Sequence, residues 1–414
     1  MGCRKTAQHH CHYTVLNAYA KIQTLKRAQG RQQSGGSLRH AQNGYTDASM
    51  WQTWERSGLA GLCAGILARS GLDKATAERH ILPMEKQPVS AHAVPVALAR
   101  CEGYDRRSLD QLVGEVLDAA RIAQSCSLKV GTKVLVKPNL LMGRSLACTS
   151  PGVVAAACRW LRDHGAQMAV ADSPGFGRAG SVARAIGLES ALRPLGLEVR
   201  ELDRPVPISL PLPQGSRSAH SGKAGTRFHV ARAVHECDFI LSLPRVKAHS
   251  QMLITLAVKN CFGCVSGLHK AVAHAREGRD PTYFADCLAA LWAILPPVAA
   301  LADGGVAMHV TGPSGGKPFV LHLMGASASA VALDEALYAV FGLAPEAVPL
   351  GAALARRKAQ GSAASGTEVT FPLLRPENFD ARGFDLPRDL SHTSFHPARF
   401  VQSCLRRIIA AVKK

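Results

Sequence analysis

The chain has 414 residues, 47% hydrophobic and 19% charged with only 5% aromatic, so a sizeable core is available and must be built largely from Ala, Leu and Val. Its 49 Lys and Arg against 30 Asp and Glu give a net charge of +19. That charge suits anionic partners, but no zinc-finger spacing, helix-turn-helix signal or aromatic-interleaved basic stripe comes with it, which argues against nucleic-acid binding. The 12 cysteines are unevenly spaced with no secretory signal, which argues against a disulfide framework, and no run reaches the roughly 18 apolar residues of a membrane span, so a soluble, cytoplasmic protein is expected.

Residues 1–83 are rich in Gln, His, Ser and Arg, place Trp51 near Trp54, and show no sustained strand–helix alternation. They read as a disordered or non-native extension ahead of a natural start at Met84, the alternative being a real N-terminal arm. Residues 84–375 then read as an α/β domain, and 376–414 as a tail ending in a basic amphipathic helix, Phe400 to Lys414.

A strand starts at Val94, and Ser108 with Gln111 three residues on predicts a capped helix. Lys133 to Lys137 predicts a strand, stopped by Pro138 and followed by Asn139; Ser150 and Pro151 then open a helix as N-cap and first helical residue. The strand Gln167 to Asp172 ends in Ser173-Pro174-Gly175, and a helix around Ser181 to Leu195 leads to a strand around Leu197 to Leu202. This alternation predicts an α/β fold, a mostly parallel sheet with helices on both faces. Pro205 to Gly225 reads as an excursion or hairpin insertion.

Phe239 to Leu243 is an apolar strand closed by Pro244, delivering Arg245, Lys247 and His249 into a loop. Asp280-Pro281 starts a helix through Trp292 and Leu295, and Val298 to Ala302 is a strand ending at Asp303. A Gly-rich segment, Gly304 to Pro318, precedes a strand around Phe319 to Leu323 and a helix from Ser329 to Phe341.

In a parallel sheet the ends at Lys137, Asp172, Lys247 and Asp303 share one edge, where open α/β sheets bind ligands. Lysines buried near one another need an anion to compensate them. Lys137, Lys247 and Lys259 are therefore expected to bind carboxylate or phosphate oxygens, with His249 as general acid/base and Asp172 or Asp303 orienting it or holding a divalent metal. Thr311 to Lys317 fails the phosphate-loop pattern, because Pro318 and a strand follow Lys317. Gly312, Ser314, Gly315, Gly316 and Lys317 still offer backbone N–H groups and a charge for an anion, or else form a hairpin or lid. Cys261-Phe262-Gly263-Cys264 is the only Cys-x-x-Cys; it reads first as a structural turn, then as part of a metal or iron–sulfur site, then as a redox dithiol.

The ordered motifs KPNL (Lys137 to Leu140), TSPGVV, ADSPG, DFILSLPRVKAH, VKNCFGCVSGLHK and DGGVAMHVTGPSGGKP, from about Val134 to Gly342, resemble the domain of unknown function 362 family. The resemblance implies an α/β domain and adds Ser173, Asn260, Gly263 and Lys270 to the residues on its motifs. Many members carry a ferredoxin-like Cys-x2-Cys-x2-Cys-x3-Cys segment, which this sequence lacks. Three functions follow as expectations: an enzyme on a small anionic molecule; an iron–sulfur or electron-transfer protein using Cys261 and Cys264 with a redox partner; and an anion-binding accessory protein without turnover.

Overall fold

Each apolar run marked as a strand is a strand in the computed structural model, which describes residues 93–213, 226–278, 280–360 and 368–390. The expected extension over 1–83 and the basic helix at Phe400 to Lys414 lie outside the described residues. The strands are β1 (Val94–Arg100), β2 (Lys133–Pro138), β3 (Gln167–Asp172), β4 (Val199–Glu201), β5 (Pro205–Ser209), β6 (Arg227–Ala231), β7 (Phe239–Leu243), β8 (Arg245–His249), β9 (Leu253–Thr255), β10 (Val298–His309), β11 (Lys317–Ser327) and β12 (Val369–Thr370).

The main sheet runs β12-β1-β11-β10-β7-β2-β3-β4, with β8 on β10 and β9 on β8. From β10 to β4 every neighbouring pair is parallel, while β11 is antiparallel to both β1 and β10. The result is a mostly parallel mixed sheet. β5 and β6 form a separate antiparallel hairpin, the insertion expected near Pro205.

Period-two alternation divides the core in two. Val134 and Val136 face a layer that includes Leu109 and Leu161 from the helices Arg106–Ala119 and Pro151–Asp163. Leu135 and Ile240 face the layer holding Leu288, Leu333 and Leu350 from Pro281–Ile294, Ala330–Val340 and Pro349–Ala359. Covered on both faces, these strands read as continuous apolar runs.

Two helix boundaries differ from expectation. The first helix is capped by Asp105, whose carboxylate accepts from Ser108 N at 3.1 Å, so Ser108 lies inside it. The helix around Ser181 to Leu195 divides into Ala179–Ala185 and Leu188–Leu192, because Gly187 takes a φ of +82° between them.

Two strands run farther than expected, and they build the site. β2 ends where Pro138 faces Leu243, but β7 continues past Pro244 as β8, so Arg245, Lys247 and His249 lie on a strand rather than in a loop. β10 likewise runs through Asp303 to His309, pairing Asp303 with Arg245 and Met308 with Lys247. Asp303 is thus mid-strand.

Candidate functional site

On β8, Val246 packs into the apolar core, so the alternate residues Arg245, Lys247 and His249 share the opposite face. All three are buried. Because β8 overshoots β2, its polar side chains meet the chain that follows β2. Lys247 Nζ donates to Asn139 Oδ1 at 2.7 Å and to the Ala147 carbonyl at 2.8 Å.

A hydrogen-bonded chain leads from there across the sheet edge. Asn139 Nδ2 donates to Asn260 Oδ1 at 3.0 Å, and Asn260 Nδ2 donates to the Lys137 carbonyl and Ser242 Oγ. Lys137 Nζ donates to Asn260 Oδ1 at 3.3 Å and to Asp172 Oδ1 at 2.8 Å, an ion pair with both side chains under 5% exposed. Asp172 also accepts from Leu140 N and Ser173 N. Lys270 Nζ donates to the Ser173 carbonyl, and Gly267 N donates to Ser173 Oγ. Lys137, Asn139, Asp172, Ser173, Lys247, Asn260 and Lys270 therefore form one assembly at the carboxyl ends of β2, β3 and β7–β8.

Lys259 adjoins it from the short helix Ala257–Asn260. Its Nζ lies 5.0 Å from the centre of the Phe262 ring and 5.9 Å from that of Phe284. Among the described residues neither Lys247 nor Lys259 makes an ion pair. Burial pushes the Lys247 ammonium down to about 8, helped by Arg245 and Lys137. It pushes Lys259 down to about 7, helped by Lys270, Lys247 and Lys137.

Gly263 is required by close approach. A Cβ there would fall on Lys137 Nζ and Asp172 Oδ1, two groups locked by their own hydrogen bonds. Gly263→Ala is expected to cost about 1–3 kcal/mol, the usual range for overpacking, measured by urea denaturation. A loss below about 0.5 kcal/mol, within ordinary surface variation, would mean the ion pair yields freely.

The expected acid/base role of His249 rests on an ordinary imidazole, whereas burial, then Lys259, His274 and Lys247, hold its pKa well below 6.5. Its Nδ1 accepts from Gln251 N at 3.1 Å and Met252 N at 3.2 Å, which puts the proton on Nε2. The neutral ring can donate a hydrogen bond, and neither Asp172 nor Asp303 orients it.

Asp303 belongs to a second buried cluster. Its Oδ1 accepts from Tyr104 Oη at 2.7 Å and Arg245 Nη1 at 3.1 Å, and its Oδ2 from Ser150 N at 2.7 Å. A carboxylate so fully engaged fits the structural role of an ion pair better than an acid/base role. The glycine segment is the turn of the β10–β11 hairpin. Gly312 packs on the Ala248 carbonyl and its own carbonyl accepts from Ser250 N at 3.1 Å. Lys317 is exposed on β11 opposite His309, apart from the buried lysines, and Ser314, Gly315 and Gly316 stay in the turn.

Cys261 and Cys264 are buried free thiols in a 3-10 turn, their pKa values raised by burial. No three His, Cys, Asp or Glu side chains are grouped to hold a metal among the described residues. Two buried, protonated thiols are a poor donor set for an iron–sulfur cluster, which needs thiolates and further ligands. Asp172 and Asp303 lie in no such group either, so the divalent-metal expectation finds no donor set there.

Sequence reasoning passed over Tyr104, Thr149 and Asp334. Thr149 Oγ1 donates to the Leu243 carbonyl at 2.5 Å and accepts from Asn139 N at 2.8 Å, holding Asn139 in place. Asp334 accepts from Ala257 N at 2.7 Å and Val258 N at 3.0 Å, fixing the helix that carries Lys259. Burial raises its carboxyl to about 7, partly offset by those two N–H groups. An Asp within the apolar helix AVALDEALYAV was the signal available.

A cleft of about 550 Å³ opens at the other end of β2 and β3, lined by Lys133, Gln167, Arg200 and Arg204 together with Glu201 and Asp203. Its charges are of both signs and most are solvated, whereas the lysines at the carboxyl ends are buried and of one sign. The lysine cluster is the better candidate for chemistry.

Comparison with known proteins bears on the segment that builds this cluster. The profile of the family described as Domain of unknown function (DUF362) matches residues 134–339. A thylakoid-associated protein of Synechocystis sp. is 31% identical over 314 residues, covering 75% of this chain and 93% of its own. A crystal structure of a protein from Thermotoga maritima overlaps 51% of this chain and 52% of its own, with 12% identity and a TM-score of 0.34, too distant a likeness to inform the site.

Proposed function

From the chain's membership of the family described as Domain of unknown function (DUF362), whose matched segment carries the lysine cluster, we propose that it is an enzyme acting on a small carboxylate or phosphate. The ligand binds at the carboxyl ends of β2, β3 and β8. One observation carries this reading: Lys247 and Lys259 are buried without a carboxylate partner among the described residues, beside Lys270. Burying an ammonium without a counter-charge costs several kcal/mol, which an entering anion would offset. Asn139 and Lys270, both half-buried, mark the side from which it enters.

Binding of inorganic phosphate or acetate, followed by calorimetry, should weaken as pH rises through about 7 to 8. Below those values Lys259 and Lys247 carry their protons; above them the free site loses its charge, and binding must take a proton up. Lys247→Ala should weaken binding by ~1.5–3 kcal/mol, the worth of one charge-assisted hydrogen bond. Heat absent with both anions at pH 6.5 would sink the proposal.

The reading sets the protein in the cytoplasm, where its eight described free cysteines would stay reduced. No described helix is long and apolar enough to cross a membrane.

A further inference from the structure

The three buried lysines are not equivalent. Lys137 is committed to Asp172, and Lys247 to Asn139 and the Ala147 carbonyl. Lys259 has no hydrogen bond or ion pair to its Nζ among the described residues, although it is 8% exposed against 1% for Lys247 and 0% for Lys137. Its nitrogen rests against Phe262 and Phe284. Phe262 and Phe284 pack on each other edge-to-face at 5.4 Å and both pack on His274. The turn carrying the lysine is fixed by the two N–H groups that Asp334 binds. An amine held in place, shielded from water and not spent on an acceptor is arranged as a nucleophile.

We propose that Lys259 forms a Schiff base with a small carbonyl compound bearing a carboxylate or phosphate, whose anionic end is held by Lys247 and Lys270. This rests on the anion site proposed above and names its substrate class. The neutral amine of Lys259 attacks the carbonyl carbon, forming the C–N bond while the carbonyl π bond breaks and its oxygen takes a proton. That proton comes from the nitrogen, giving the carbinolamine; the nitrogen's second proton passes to the hydroxyl, the C–O bond breaks as the nitrogen lone pair forms the C=N bond, and the oxygen leaves as water, giving the imine with no oxidant or reductant consumed. The aromatic floor favours loss of water, and the neighbouring ammonium groups favour the neutral amine that starts the reaction.

The test is reductive trapping on the full chain. The protein is incubated with glyoxylate, an aldehyde with a carboxylate, and sodium cyanoborohydride, and adducts are located by peptide mass spectrometry. Lys259 is expected to label at least about tenfold faster than any exposed lysine, as its amine is largely free near pH 7.5 while theirs are not. Labelling should rise with pH through about 7, with Lys137, Lys247, Lys270, His249 and His274 the titratable groups facing the amine. Phosphate should protect Lys259, and the uncharged aldehyde glycolaldehyde should label it more slowly than glyoxylate does. Lys259→Arg should lose this adduct while the exposed lysines label as they do in the native protein. Adducts confined to exposed lysines, with phosphate binding intact, would overturn the Schiff base and leave the anion site standing. Equal labelling by the two aldehydes would overturn the anionic substrate class, and loss of phosphate binding from the native protein would remove the anion site itself.

Discussion

Replacing Asp172 with alanine is expected to destabilise the protein by about 3–5 kcal/mol, the range for removing one partner of a buried ion pair. Three donors converge on this carboxylate: Lys137 Nζ at 2.8 Å, Ser173 N at 2.8 Å and Leu140 N at 2.7 Å. Alanine strands the two amides and leaves the ammonium with only neutral acceptors, the Pro138 carbonyl at 3.2 Å and Asn260 Oδ1 at 3.3 Å. The loss should be largest near neutral pH in urea denaturation. A lysine left buried without counter-charge holds its proton less firmly than one in water, so the cost should shrink as pH rises above neutrality. Asp172→Asn keeps an acceptor and the shape while losing the charge, and should fall between the two. A cost below about 1 kcal/mol for Asp172→Ala, typical of an exposed pair, would show that the pair does not hold this edge together.

Much of the fold could be read from the chain because the central strands are buried on both faces, which leaves unbroken apolar runs between Pro, Gly and Asp punctuation. Where the reading failed, the cause was a tertiary contact that local sequence does not carry. Pro244 looked like a terminator, since proline cannot donate to a ladder. It is tolerated because β2 has already ended at Pro138, so no strand on that side asks for its N–H, while its carbonyl still accepts from Asp303 N at 2.9 Å. Gly304-Gly305 looked like the start of a Gly-rich segment beyond the strand. Both lie within β10, where Gly305 makes way for a distant ring: a Cβ there would lie 2.5 Å from Tyr104 Oη and 2.9 Å from Cys101 Sγ.

The site divides in the same manner. Lys137, Asp172 and Lys247 were legible as polar ends of apolar strands, and Asn260 and Lys270 through the family motifs. The sequence could not tell Asp172, next to the lysines, from Asp303, which pairs with Arg245; that distinction depends on which strand lies beside which. Nor could it show that His249 is tied through Nδ1 to the turn after β8, since its partners are backbone amides of Gln251 and Met252. Asp334, more than 70 residues away from the helix it caps, is connected to Lys259 only by the fold.

Asp303→Ala should cost a similar ~3–5 kcal/mol by removing one partner of a buried pair, but with a different pH dependence. The Arg245–Asp303 pair, with side chains 6% and 0% exposed, also holds Tyr104 Oη at 2.7 Å and Ser150 N at 2.7 Å. Alanine would leave the guanidinium with the Cys148 and Val306 carbonyls as its remaining strong acceptors. A guanidinium cannot shed its proton in the accessible pH range. The cost of Asp303→Ala should therefore stay nearly constant as pH rises above neutrality, where the cost of Asp172→Ala declines. The double variant Asp303→Leu with Arg245→Met removes both charges, and should recover part of the loss because an apolar pair of similar volume often replaces a buried ion pair with little penalty. If the double variant is as unstable as Asp303→Ala, the stranded charge is not the cause; the loss then lies with Tyr104 and Ser150 N, whose acceptor both variants remove.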